Sequence, residues 1–327
     1  MTPIALALTL SGAAQATELV YVPAEHTAYR LQLALSTPYG NTWLALENVD
    51  ARAWKVGASM VIDCTHEGSS SSCEVLRATF VGSAPEAEQA DLDTVLEEYA
   101  RLVADSTIQV EWHGLGRVRS IDIEGVPKST SREAVVQEHL RMLVSRAFSP
   151  LELELPKGGD DKGKSWKQRG HPLALRLVEV SGTTGGVKLL HEVVGEEDGL
   201  LLINSAGEGI VQSGLSIENG ANQTVSMMMA GQAKFDPARG LVVYNKEVVQ
   251  GVFTAQSGRI GSGLVIDHMA EAMLLEDLDG FLAKWDAEMA GEPEPVVEES
   301  PTPVVEEPQA PLVEQPQVPL EDDLAPE

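Results

Sequence analysis

From residue 172 onward, apolar and polar side chains alternate along run after run: LALRLVEV, GVKLLHEVV, GLLLINSAG, LSIENGANQTVSMMM, QAKFD, GLVVYNKEVVQGVFTAQ and IGSGLVIDHMAEAM. A period of two puts successive side chains on opposite faces of a strand, so each run has one dry face and one wet face. Gly or Asn separates nearly all of these runs, as turns between antiparallel strands require. The same signal opens the body at residues 18–22, 28–36, 41–48, 53–64 and 73–82, and it returns in a hairpin at 107–112 and 117–123 around Gly114-Leu115-Gly116.

Three segments break the alternation with helical spacing. In residues 85–105 the apolar positions Leu92, Val95, Leu96, Tyr99, Leu102 and Val103 share one face. Residues 131–148 form a second helix, with Ser129, Thr130 or Ser131 available as caps and Pro150 ending it. Residues 276–289 form a third, carrying Leu278, Phe281, Leu282 and Trp285. The expected fold is α+β: a mainly antiparallel, strongly curved β-sheet (a half-barrel) with two or three helices and a disordered C-terminal tail. Long strands with one dry face must wrap around something. Helices fill the concave side, or a hydrophobic ligand occupies it.

Cys64 and Cys73 are the only cysteines. THEGSSSS lies between them, with strand-like runs on either side, so a hairpin sets them across from each other and a disulfide is expected. The competing readings are two free thiols, or part of a metal site formed by Cys64, His66 and Cys73, which lacks a fourth ligand and a second cluster.

The chain ends set the expected compartment. Residues 4–10 are apolar and lead to Ala14-Gln15-Ala16, a small-residue cleavage pattern, although no Lys or Arg precedes the run. Residues 1–16 are therefore expected to be a signal peptide, and a disulfide suits the periplasmic or extracellular location that follows. Residues 17–290 form a β-rich body, divisible into halves of about 17–150 and 151–290. Residues 291–327 hold 9 of the 18 prolines. From Glu292 to Glu327 there are 11 acidic residues and no Lys or Arg. Proline removes backbone donors and glutamates repel one another, so this tail is expected to be a disordered tether, with docking to an envelope protein as its sharper role.

With 50 acidic and 23 basic residues, the formal charge is -27. Phosphate binding depends on Lys and Arg releasing counterions, so nucleic-acid partners are excluded. No stretch reaches the ~18 apolar residues that a membrane-spanning helix needs.

Residues 158–165, GGDDKGKS, match the phosphate-loop pattern G-x-x-x-x-G-K-[ST] letter by letter. That loop needs a strand before it and a helix immediately after, with Lys164 on the phosphates and Ser165 on magnesium. A short strand at 151–155 is expected before it. Trp166-Lys167-Gln168-Arg169 instead runs into Gly170 and Pro172, and Asp160 and Asp161 would repel phosphates, so a charged turn is the better reading. The histidines are scattered, and no HExxH or G-x-S-x-G appears. No catalytic, cofactor-binding or metal residues are assigned. The Met227-Met228-Met229 run occupies both faces of a strand, where pliable side chains suit helix packing or an apolar ligand.

The order of elements also carries a resemblance. A meander and a helix lead to the Gly114, Gly116, Val118 hairpin. A helix ending near Pro150 and a turn with Lys162, Gly163, Ser165 and Trp166 follow, then FDPARGLVV at 235–243. Residues 18–270 thereby resemble a family of secreted bacterial proteins of unknown function. That resemblance implies a curved-sheet or half-barrel fold, distantly like periplasmic lipoprotein carriers, and no catalytic residues. The expected function is a non-enzymatic envelope protein, a scaffold or a carrier of a lipid or other apolar ligand on a curved sheet. The alternatives are an interaction module acting through the tail and a nucleotide-binding enzyme using Lys164.

Overall fold

The structure, a computed structural model, describes residues 25–37, 54–104, 106–114, 116–126, 132–156, 165–168, 184–213, 222–256 and 263–290. The expected signal peptide, the runs at 18–22, 41–48 and 173–180, the caps at 129–131, Lys164 and the tail at 291–327 lie outside the described residues.

The strands are β1 (His26–Thr37), β2 (Trp54–Glu67), β3 (Ser70–Ser83), β4 (Thr107–His113), β5 (Arg117–Ile123), β6 (Ser165–Lys167), β7 (Thr184–Glu197), β8 (Leu200–Ser213), β9 (Asn222–Asp236), β10 (Leu241–Gln256) and β11 (Gly263–Leu274). The helices are α1 (Gln89–Ala104), α2 (Arg132–Ala147) and α3 (Leu278–Met289). All eleven strands form one antiparallel sheet in the order β5-β4-β3-β2-β1-β11-β10-β9-β8-β7-β6. The fold class is α+β, and the sheet is open, with β5 and β6 at its two edges.

The chain starts in the middle of this sheet, meanders out to β5, crosses to the far edge at β6, and meanders back until β11 lies against β1. Every sequential pair of strands except β5 and β6 is adjacent in the sheet, and the β5–β6 connection carries the chain from one edge to the other. That connection covers the inner face of the sheet. Its helix α2 packs against β5, β1 and β11, and the 3-10 turn Ser149–Leu151 that follows packs on β10 and β11. Leu153 and Leu155 then pack with Ile203, Ala233, Phe235 and Val242 of β8, β9 and β10. The strand expected at 151–155 does not form: the segment is extended but joins no ladder, because it lies across the strands as filler.

On the first half of the sheet, α1 covers β3. A Cβ on Gly82 would approach Leu92 and Leu96 of α1 to 2.8 Å, so glycine there lets the helix sit directly on the strand. Tyr29, Leu31, Leu33 and Leu35 of β1 share the buried face with Val56, Ala58, Met60 and Ile62 of β2, and together with α1 and α2 they form one core. Helices and the crossover thus fill the side that was otherwise expected to hold an apolar ligand. Helix α3 has no buried residue; Phe281 and Trp285 stand one turn apart with ring centroids at 6.2 Å.

Turn chemistry fixes the ladders. Asp198 and Gly199 both have positive φ (51° and 80°) between β7 and β8, a two-residue hairpin turn whose twist matches the strands. Asp236 Oδ1 accepts from the backbone N–H of Ala238 and Arg239 between β9 and β10. The runs QTVSMMM and QAKFD, separated by glycine in the sequence reading, are a single strand through Gly231.

Cys64 and Cys73 face each other in the β2–β3 register and are joined by a disulfide. Replacing both by Ser is expected to cost about 2–3 kcal/mol, because a short closed loop is released in the unfolded chain. Urea unfolding with and without reductant checks this: reductant should lower the midpoint of the wild type and leave the double variant unchanged.

Candidate apolar groove on the open face

The face of the sheet opposite α1 and α2 carries a row of side chains that only the register reveals. Val81 pairs with Gly57, Gly57 with Ala34, Ala34 with Met269, and Met269 with Val248. The row continues through Ala230 and Ala206 to Leu190, and Lys167 on β6 ends it. Eight successive strands each contribute an apolar residue or glycine. At ~4.8 Å per strand the row is about 34 Å long. Val81 is 65% exposed, and Leu190, Val248 and Met269 are also exposed.

Both neighbouring rows on the same face are polar. One runs Thr79, Ser59, Gln32, Glu271, Lys246, Gln232, Asn204 and Glu192. In the other, the described side chains are Ser83, Lys55, Gln250, Met228, Glu208 and Lys188, with Met228 the single apolar one among them. An exposed apolar residue alone is ordinary; a continuous line of them between two polar lines is not. Over β3, β2, β1, β11 and β10 the row opens into a cleft of about 420 Å³, lined by Ala34, Lys55, Gly57, Val81, Val248 and Met269 among others. A Cβ on Gly57 would meet Val81 Cγ2 at 3.1 Å, so the glycine keeps the floor of the cleft low.

Three clusters of buried polar groups lie away from the row; His268, buried with neither ring nitrogen hydrogen-bonded, lines the cleft itself. Trp112 Nε1 donates to Ser71 Oγ, and His66 bonds Ser71 through Nδ1 and Thr27 through Nε2, each at 2.6 Å. Burial, with His26 adding to it, lowers the His66 pKa to about 4, so the ring is neutral. Cys64 and Cys73 are bonded to each other, so the three-ligand metal alternative with His66 is overturned. A second cavity of about 390 Å³, near His26, Asp63 and Glu74, is lined by polar atoms. No group of three or more His, Cys, Asp or Glu converges among the described residues.

On the other half of the inner face, His191 bonds Ser205 at 2.7 Å through Nδ1 and Gln168 at 3.0 Å through Nε2, while Trp166 stacks on its ring. Burial lowers its pKa to about 4. A hydroxyl, an imidazole and an amide in line share the connectivity of a nucleophile relay. Here His191 and Ser205 are both buried and Trp166 stacks on the imidazole, so the arrangement ties β6 to β7 and β8.

The third cluster lies where the crossover passes over β10. Ser149 Oγ is 2.8 Å from both the Arg146 carbonyl and Glu247 Oε2, and Asn245 Nδ2 donates to the Pro150 carbonyl at 2.8 Å. The single Ser149 proton goes to one oxygen only. If it goes to the Arg146 carbonyl, a protonated Glu247 donates to Ser149. Burial raises the Glu247 pKa to about 8, and the nearby Glu152 adds to the rise, which fits the neutral carboxyl.

Of the phosphate-loop residues only Ser165 is described; it begins β6 and pairs with Glu192, so a strand stands where that motif needs a helix. Met227 and Met229 are buried and Met228 is 58% exposed, as alternation requires. No protein-family model matches the chain, and no curated protein matches it. No helix among the described residues is long and apolar enough to cross a membrane.

Proposed function

We propose that this chain is a non-enzymatic binding protein of the cell envelope that holds an extended apolar ligand along the row from Val81 to Val248. The observation that supports this reading is the cleft itself: an apolar line flanked by polar residues, on the face opposite α1, α2 and the described part of the crossover. The filled inner face favours the outer one as the binding surface. The Cys64–Cys73 disulfide and the signal-like residues 1–16 support export to the periplasm or the exterior.

Titration with dodecanol, an uncharged single-chain probe, tests it. Wild-type protein is expected to bind, and Met269→Glu to bind at least about tenfold more weakly, because a carboxylate in the row would have to be desolvated against the chain. Met269 is exposed, so the variant should unfold at nearly the wild-type urea concentration. Equal dodecanol affinity in the two proteins would reject the groove as the site.

A further inference from the structure

We propose that the groove takes one specific class of apolar ligand, a fatty acid, with its carboxylate at Lys55 and its chain running over Ala34 and Met269 toward Val248. This rests on the reading of the groove as an apolar-ligand site and goes on to name the ligand. The width of the row is the first constraint. One apolar residue wide except where Met228 stands beside Ala230, it offers a strip of about 7 Å by 34 Å, or roughly 240 Å². A stable protein interface needs about 800 Å² from each partner, so a second copy or a folded partner would bury the polar rows as well. A two-chain lipid would lay its second chain on those same polar residues. A single extended chain fits the strip.

Charge is the second constraint. Among the described residues that line the cleft, Lys55 is the only one that carries a charge. It is exposed and makes no ion pair among the described residues, in a chain with 50 acidic side chains. Lys55 stands on β2, near the end of the cleft where Val81 closes the row, so a headgroup there leaves β1, β11 and β10 for the chain. One ammonium matches one carboxylate; a phosphate headgroup would bring a second charge with no second cation among the described residues that line the cleft.

Dodecanoate, dodecanol and dodecylammonium, titrated at low salt into wild type, Lys55→Gln, Lys167→Gln and Met269→Glu, test the assignment. Dodecanoate is expected to bind most tightly and dodecylammonium most weakly. Lys55→Gln should weaken dodecanoate about tenfold and leave dodecanol within about twofold. Lys167→Gln removes the same charge at the far end of the row and should change neither. Added salt should reduce the preference for dodecanoate over dodecanol. Undiminished dodecanoate binding in Lys55→Gln, with both ligands lost in Met269→Glu, would overturn the headgroup assignment while leaving the apolar groove standing. No binding of any probe, or binding unchanged by Met269→Glu, would overturn both.

Discussion

Glu247→Gln is expected to make the protein more stable than wild type at pH 9 and to leave it nearly unchanged at pH 4. The carboxyl is fully buried beside Ser149, Asn245 and Glu152, and its pKa rises from the ordinary 4.5 to about 8. A carboxyl whose folded pKa lies above its unfolded one keeps a proton that the unfolded chain has released. Stability is therefore fully present below pH 4.5 and is lost as pH rises toward 8. At 1.36 kcal/mol per unit, the whole window corresponds to about 4–5 kcal/mol, of which about 2 kcal/mol falls above pH 6.5. Glutamine keeps the shape, donates to Ser149 through Nε2 and accepts from Asn245, with no proton to lose. His191 works in the opposite direction: its pKa of about 4 lies below the ordinary 6.5, so its contribution is lost as pH falls from 6.5 toward 4. That loss is common to both proteins and drops out of their difference. Urea midpoints of variant and wild type across pH 4–9 measure the effect. Parallel profiles would show that Glu247 is ionised in the folded protein.

Leu31→Ala should cost about 3–5 kcal/mol, and Leu190→Ala no more than about 0.5 kcal/mol. Leu31 is fully buried on central strand β1, between Met60 of β2 and Ala272 of β11, beneath the helices. Truncating it leaves a cavity that the ladders on both sides prevent from collapsing. Leu190 has the same chemistry on the opposite face, 44% exposed in the apolar row. Denaturant unfolding of both variants compares the faces directly. Similar losses would mean that the row at Leu190 is covered.

Much of the fold is legible in residue order. The helix read at 85–105 forms at Gln89–Ala104, and the hairpin at 107–123 forms nearly to the residue. Alternation marks which residues of a strand share a face, so Leu31 and Met60 read as buried. Alternation is silent on strand order. That β1 pairs with β11, more than two hundred residues away, follows from the crossover returning the chain to the far edge.

The apolar row illustrates the same limit. Ala34, Gly57, Ala206 and Ala230 are small residues with nothing to single them out until seven pairings line them up with Val81, Met269, Val248 and Leu190. Glu247 reads as the wet position of GLVVYNKEVVQ, yet the register places it inward, and Gly231 opposite leaves it room. His191 and Ser205 carry no local signal because their contact depends on the β7–β8 register. The letter-perfect match at 158–165 misleads for the converse reason: a motif specifies residues, while phosphate binding depends on a following helix, and β6 stands there instead.

Methionines sit on both faces of this sheet, which permits one direct measurement. With ¹³C-methyl methionine in the protein, dodecanol is titrated and each methyl resonance is followed. Binding in the groove is expected to shift Met269, which lines the cleft, and to leave the inner-face Met60, Met227 and Met229 in place. Shifts at Met60, Met227 or Met229 with Met269 unmoved would put the ligand on the inner face and contradict the groove.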